Sequence, residues 1–115
     1  MAFMDLRQMS PGHVLVIPKT HVADIFDVDA TTGAALMTTI ARVARAVRDA
    51  LRPDGMNIWQ SNGKGAGQEV FHVHFHVLPR REGDGMLRIY PRHPDAPSRA
   101  ELSAIAQNIA NSIGD

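Results

Sequence analysis

Three histidines, His72, His74 and His76, alternate with single apolar residues in the stretch "FHVHFHVLPR" over residues 71–80. The whole chain has six histidines, so half of them fall within five positions. A neutral imidazole offers one donor and one acceptor, and a protonated one offers two donors. A row of three can therefore bind an anion, bind a metal ion or move protons. A lone histidine on a strand is usually a half-buried polar residue with one hydrogen-bond partner. Histidine has no strand propensity that would set three in strict alternation by default, so a purely structural role is the weaker reading.

Successive side chains of a strand point to opposite faces. A strand running from residue 71 to Pro79 puts Phe71, Val73, Phe75 and Val77 on one face and the three imidazoles on the other, with roughly 6.5–7 Å between successive histidine Cα atoms. Two chemistries suit such a row. His-x-His on a strand delivers two nitrogens to a zinc ion. A catalytic zinc also needs carboxylates or carbonyls behind its imidazoles, and the nearest acids, Glu69 and Glu82, lie outside the row, with Glu69 on the opposite face. The other chemistry is nucleophilic: one imidazole attacks phosphorus while its neighbours orient it and manage protons. The preceding "SNGKGAGQ" supplies Asn62, Gln68 and several glycines, and amides and exposed loop N–H groups suit phosphate oxygens.

The rest of the chain must position that row. At 115 residues it is expected to form one domain over 1–115. Net charge is zero, which argues against nucleic acid or an acidic membrane as partner, because both favour a basic excess. The absence of cysteine excludes disulfides, thiolate nucleophiles and cysteine-bound zinc. "MAFMDLRQMS" is not built like a signal peptide, and no apolar run is long enough to span a bilayer; the cytoplasm is the expected compartment.

"AFMDL" and "GHVLVIP" (12–18) read as strands separated by the turn signal "SPG". From Asp29 to Leu51 the apolar period becomes helical: Leu36, Ile40, Val43, Val47 and Leu51 share one face, and Arg42, Arg45 and Arg48 occupy others. "RPDG" stops that helix. "MNIWQSN" (56–62) reads as a strand, "GKGAG" (63–67) as a flexible loop, and "REGDG" (81–85) and "PRHPDAP" (91–97) as loops. Ser98 and Glu101 have capping-box spacing, and Leu102, Ile105, Ile109 and Ile113 predict a second amphipathic helix. The sum is an α+β domain with a mostly antiparallel sheet, one long helix and a C-terminal helix.

Three blocks together carry a resemblance. "HVHFHVL" (72–78) resembles the His-φ-His-φ-His-φ-φ signature of the histidine triad (HIT) nucleotide hydrolases and transferases. "DLRQMSPGHVLVIPKTH" (5–21) resembles that family's upstream block, and "QSNGKGAGQEVFH" (60–72) the approach to its triad. Order and spacing agree over nearly the whole chain.

The resemblance implies a HIT-like fold and homodimers that join two sheets across an edge. It implies a purine nucleotide or nucleotide derivative as ligand, substituted at the α-phosphate by an amine, an acyl group or another nucleotide, and no obligatory metal or other cofactor. By position, His74 is the implied nucleophile, forming a nucleotidyl-histidine intermediate that water hydrolyses. His76 is implied to bond the phosphate or the bridging atom and help protonate the leaving group. His72 and His21 form the implied supporting network, Asn62 and Gln68 hold phosphate oxygens, Asp5 accepts from ribose hydroxyls, and Phe3 and Leu6 line the base pocket. His13, at the start of its strand, is read as structural, and Lys19, Lys64 and His93 as solvated.

Two features depart from the family pattern. Family members usually carry a longer segment before the "AFMD" block, so the chain is short at its amino terminus by comparison and part of the base pocket is expected to be missing. Glu69 stands where the phosphoramidate-cleaving branch has a serine, so the resemblance does not choose between that branch and dinucleoside polyphosphate hydrolases. The alternatives are a nucleotide-binding module with little turnover and, behind it, a histidine-ligated metal hydrolase.

Overall fold

The computed structural model describes residues 1–86, 88 and 92–114. Its strands are β1 (Ala2–Met4), β2 (Val14–Val16), β3 (Gly55–Trp59) and β4 (Phe75–Arg80), and its helices are α1 (Ala30–Leu51) and α2 (Arg99–Ser112). Short 3-10 turns lie at Ile25–Asp27 and Lys64–Ala66. The four strands form one antiparallel sheet in the order β1-β2-β4-β3. The α+β class read from the sequence is the class observed.

The core lies between one face of the sheet and α1. Val14, Val16 and Val77 meet Leu36, Ile40 and Val47, with Val28, Val43, Ala44, Met56 and Phe75 packed around them. Burying each of the large side chains is worth roughly 1.5–3 kcal/mol, so this contact fixes the sheet to the helix. Asp29 caps α1 by accepting from the Thr32 amide at 2.7 Å, which satisfies one of the otherwise open first-turn donors. The other end stops at Arg52, in the left-handed region at φ 48°, just before Pro53. Arg81 donates to the carbonyls of Leu51 and Arg52 at 2.7 and 2.9 Å, so the last turn is tied to the end of β4.

Three sequence expectations need correction. The ladder of β4 starts at Phe75 and not at residue 71. Residues 72–74 are held by loop contacts instead: the Val73 amide donates to the Val22 carbonyl at 2.6 Å. Phe71 is accordingly half exposed and does not join the core face. The loop 63–67 is not loose, because it turns through Lys64–Ala66 and the Gln68 amide closes it.

The second helix forms with both halves of its capping box, between Ser98 and Glu101. Its apolar stripe is not buried, however; Leu102, Ile105, Ile109 and Ile113 are each at least half exposed. A helical period shows that a stripe exists but not what covers it. Of the loop expected over 91–97, residue 91 lies outside the described residues.

Candidate active site

The sheet register assembles a row of side chains across all four strands on the face away from α1. Phe3 pairs with Leu15, Leu15 with His76, and His76 with Trp59. Directly opposed residues of antiparallel strands touch, and diagonal ones come within reach of large rings. The Trp59 and His76 rings accordingly stack at 4.2 Å with planes 2° apart. His13 and Ile17 share the parity of Leu15 on the β2 side, which brings His13 diagonally against His76.

His74 is the ring with a free end. Its Nδ1 lies 2.8 Å from the carbonyl oxygen of His72. A carbonyl only accepts, so Nδ1 carries the proton and Nε2 keeps its lone pair. Nε2 has no partner among the described residues. The ring lines an open cleft of about 290 Å³ whose other walls are Phe3, Leu15, Ile17, Val70 and His72. That cleft is almost wholly apolar apart from its imidazoles, as suits a flat aromatic ligand with a reactive group at one end.

A pair of histidines stands on each side. His72 Nε2 donates to the Pro18 carbonyl at 3.0 Å, and its Nδ1 faces His21 Nδ1 at 3.1 Å. The carbonyl fixes the direction here too: His72 Nδ1 accepts and His21 donates. On the other side, His76 Nδ1 faces His13 Nε2 at 2.9 Å. His13 is only 1% exposed, and Asp5 Oδ2 lies 3.6 Å from its Nδ1. Burial pushes the His76 pKa down to about 4, helped by the neighbouring His74 and His13 and opposed by Asp5. Burial also lowers that of His13, against the pull of Asp5. Both rings of this pair are therefore neutral near pH 7.

Asp5, His13 and His76 are also close enough to be considered as metal ligands. Two nitrogens bound to one zinc at about 2.0–2.1 Å in a tetrahedron stand roughly 3.3 Å apart. The 2.9 Å between His13 and His76 fits a shared proton better than a shared ion.

The remaining expected site residues are distributed unevenly. Asp5 is partly buried, and its Oδ1 accepts from the Arg7 amide at 2.9 Å. Asn62 is half-buried: its Oδ1 accepts from the Ile25 amide at 2.8 Å, and its Nδ2 donates to Gln60 at 2.9 Å. That leaves one amide hydrogen without a partner among the described residues. Gln68 is 3% exposed. It accepts from the Gly63 amide at 2.7 Å and donates to the carbonyls of Ala23 and Val70 at 2.7 and 3.0 Å. Its side chain is fully engaged in holding the loop and presents nothing to a ligand. Phe3 lines the cleft; Leu6 does not, and is 99% exposed.

Sequence reading took His13 as structural and passed over Trp59, Leu15, Ile17 and Val70. The parity of "HVLVI" was the available signal. If Val14 and Val16 face the core, then His13, Leu15 and Ile17 face the histidines.

A family model described as the HIT domain matches residues 1–83. The chain is 37% identical over 114 residues to "Protein hit" of Bacillus subtilis, covering 98% of this chain and 79% of that protein. It is 33% identical over 114 residues to the adenosine 5'-monophosphoramidase hnt1 of Schizosaccharomyces pombe, covering 98% of this chain and 81% of that one. The crystal structure of a HIT family member from Bacillus subtilis superposes with a TM-score of 0.91 at 36% identity, over 99% of this chain and 82% of that chain. No helix among the described residues is long and apolar enough to cross a membrane.

Proposed function

The chain belongs to the HIT family, and from that premise we propose that it is a nucleotide hydrolase or transferase acting at the α-phosphate of a nucleotide derivative through a covalent intermediate on His74. The reading rests on the His74 ring, which lines the cleft, with its Nδ1 committed to the His72 carbonyl and its Nε2 without a partner among the described residues. Such a ring attacks through Nε2 without first losing a proton. The P–N or P–O bond to the leaving group breaks as the P–Nε2 bond forms, and water then releases the nucleoside monophosphate. The phosphoramidase named among the relatives acts on a compound of this class.

The other residues take supporting roles. His76 donates to a phosphate oxygen or to the bridging atom, easing its uptake of a proton. His72 and His21 hold the backbone to which His74 is tied. Asn62 has an amide hydrogen for a phosphate oxygen, while Gln68 keeps the loop N–H groups in place. Asp5 accepts from the ribose, and Phe3, Leu15, Ile17 and Val70 receive the base. Leu6 would touch a base only from the outside. The reaction needs no metal.

The functional unit is a homodimer, located in the cytoplasm. Among the described residues, the edge of β3 and the exposed stripe of α2 are surfaces available for a second copy. Sedimentation at micromolar concentration should return a dimer; a clean monomer would remove that part of the reading.

Turnover of a fluorogenic adenosine phosphoramidate and of a dinucleoside polyphosphate, with wild type and His74→Ala, tests the chemistry. The variant should lose at least about a thousandfold in kcat and still bind adenosine monophosphate. An unchanged rate would overturn the mechanism, and loss of activity in chelator would return it to a metal hydrolase. The open form of the cleft favours a second reading, a nucleotide-binding module with little turnover. Calorimetry showing binding of the monophosphate by a wild type that turns over neither substrate would select it.

A further inference from the structure

The buried pair does more than fill space between two strands. His13 Nδ1 receives the backbone amide of Met9 at 3.5 Å. An amide nitrogen only donates, so that ring nitrogen keeps its lone pair. The competing arrangement, Nδ1–H donating to Asp5 across a similarly long 3.6 Å, would set that hydrogen against the Met9 N–H, whose own hydrogen is aimed at the same nitrogen. A neutral His13 with a bare Nδ1 carries its proton on Nε2, and that proton has one acceptor, His76 Nδ1 at 2.9 Å. His76 in turn must hold its own proton on Nε2, which has no partner among the described residues. The direction set at the Met9 amide is thus passed through two rings.

The surroundings leave little freedom to reverse it. Gln8 accepts from the Gly12 and His13 amides at 2.9 and 3.0 Å and donates to the His13 carbonyl at 2.8 Å, which fixes the backbone under the ring. Trp59 stacks on His76 and stands 5.7 Å from His13, so neither ring turns over without unpacking the other. The His74 and His76 rings meet edge to face with their centroids 5.0 Å apart.

We propose that His13 is a positioning residue that holds His76 in its Nε2–H tautomer, so that a fixed hydrogen-bond donor stands beside the His74 nucleophile. The inference rests on the reading of His74 and His76 given above and adds a residue that touches neither substrate nor reacting atom. A ring free to exchange tautomers would present a lone pair to the phosphate for part of the time, and lone pair against anionic oxygen is repulsive. Holding the donor in advance avoids that reorganisation during the reaction.

The ¹H–¹⁵N correlation pattern of the His76 ring tests this directly in the wild-type protein near pH 7. It should show a protonated Nε2 and a bare Nδ1. The reverse pattern, or an averaged one, would overturn the proposal. His13→Leu removes the donor and keeps the bulk. It should average the His76 pattern and lower kcat about tenfold to a hundredfold, with KM for the nucleotide changed by less than about threefold. His13→Gln places an amide N–H the same number of bonds from the backbone and should recover both the pattern and most of kcat. A folded His13→Leu with an unchanged pattern and kcat within about twofold would also overturn it. Should that variant not fold, the wild-type pattern and His13→Gln decide. If the wild type turns over no nucleotide derivative, the catalytic reading falls, while the tautomer measurement still upholds or removes the role of His13.

Discussion

Two pairs of histidines flank His74, built from the same groups in opposite surroundings. His21 and His72 meet at 3.1 Å where the loop after β2 reaches the approach to β4, with His21 exposed. His13 and His76 meet at 2.9 Å beneath Trp59, with His13 enclosed. In each pair a backbone group fixes the direction of the proton, the Pro18 carbonyl in the first and the Met9 amide in the second. The difference is what water can do. At the surface, water replaces a lost partner at little cost; in the interior, a nitrogen that loses its partner keeps the full desolvation penalty. The buried pair should therefore carry stability and protonation state, and the exposed pair only orientation.

Removing a ring from the buried pair is the strongest way to break that contrast. His13→Ala leaves a cavity beside Trp59 and an unpartnered His76 Nδ1, and should cost about 2–4 kcal/mol in urea unfolding. A loss below about 1 kcal/mol would make the two pairs equivalent. A backbone change one residue earlier should come next. Gly12 has φ +101°, and an added Cβ would lie 2.3 Å from Leu51 Cδ1 and 3.2 Å from Pro79 Cγ. The end of Leu51 can move aside, but the backbone angle cannot be relieved without moving His13. Gly12→Ala should cost about 1–3 kcal/mol and disturb the His76 ring signals while leaving those of His21 and His72 in place.

Acid should sharpen the contrast without any mutation. The folded His76 has its pKa depressed to about 4 by burial, next to His74 and His13, against about 6.5 in an unfolded chain. Between those values the unfolded state binds more protons, so stability is fully present above pH 6.5 and is lost as pH falls toward 4. The ring is only partly buried, so after discounting for solvent the loss is about 1–2 kcal/mol. His13 adds in the same direction. The melting temperature should fall over that range, and His76→Asn should flatten the slope. A slope unchanged in that variant would place the titrating group elsewhere.

The contrast also marks how far the sequence could be read. The triad, the long helix and its stop at "RPDG", the capping box of α2 and the α+β class all rest on local signals: alternation, helical period, breaker residues and cap spacing. The HIT resemblance supplied what spacing could not, namely which ring of the row is the implied nucleophile. What escaped were facts of register. His13 looks like the first residue of an apolar strand until β2 is laid antiparallel against β4, when it falls diagonally against His76. Trp59 becomes a stacking surface only through its pairing opposite the same residue. Gln68 runs the other way. Its place in a glycine-rich loop suggested a phosphate ligand, but a buried amide must satisfy its own hydrogen bonds first, and three backbone groups take them all. The stripe of α2 was legible as a stripe, and burial against the rest of the chain did not follow.

The smallest effect should come from the exposed pair, and there the mechanism matters more than the stability. In His21→Ala, water takes over the bond to His72 Nδ1, so unfolding free energy should stay within about 0.5 kcal/mol of wild type. The consequence for His74 is indirect, because His74 donates to the backbone carbonyl of His72 and not to its ring. That carbonyl is held independently, through the Val73 amide on Val22 and the His72 Nε2 on Pro18. Losing His21 therefore loosens one of three restraints on the segment, and kcat should fall by less than about tenfold. If His21→Ala instead matched His13→Leu in kcat while leaving stability intact, the proton on His21 would be reaching the reaction along a path that the backbone tether does not provide, and orientation could no longer be assigned to one pair and protonation state to the other.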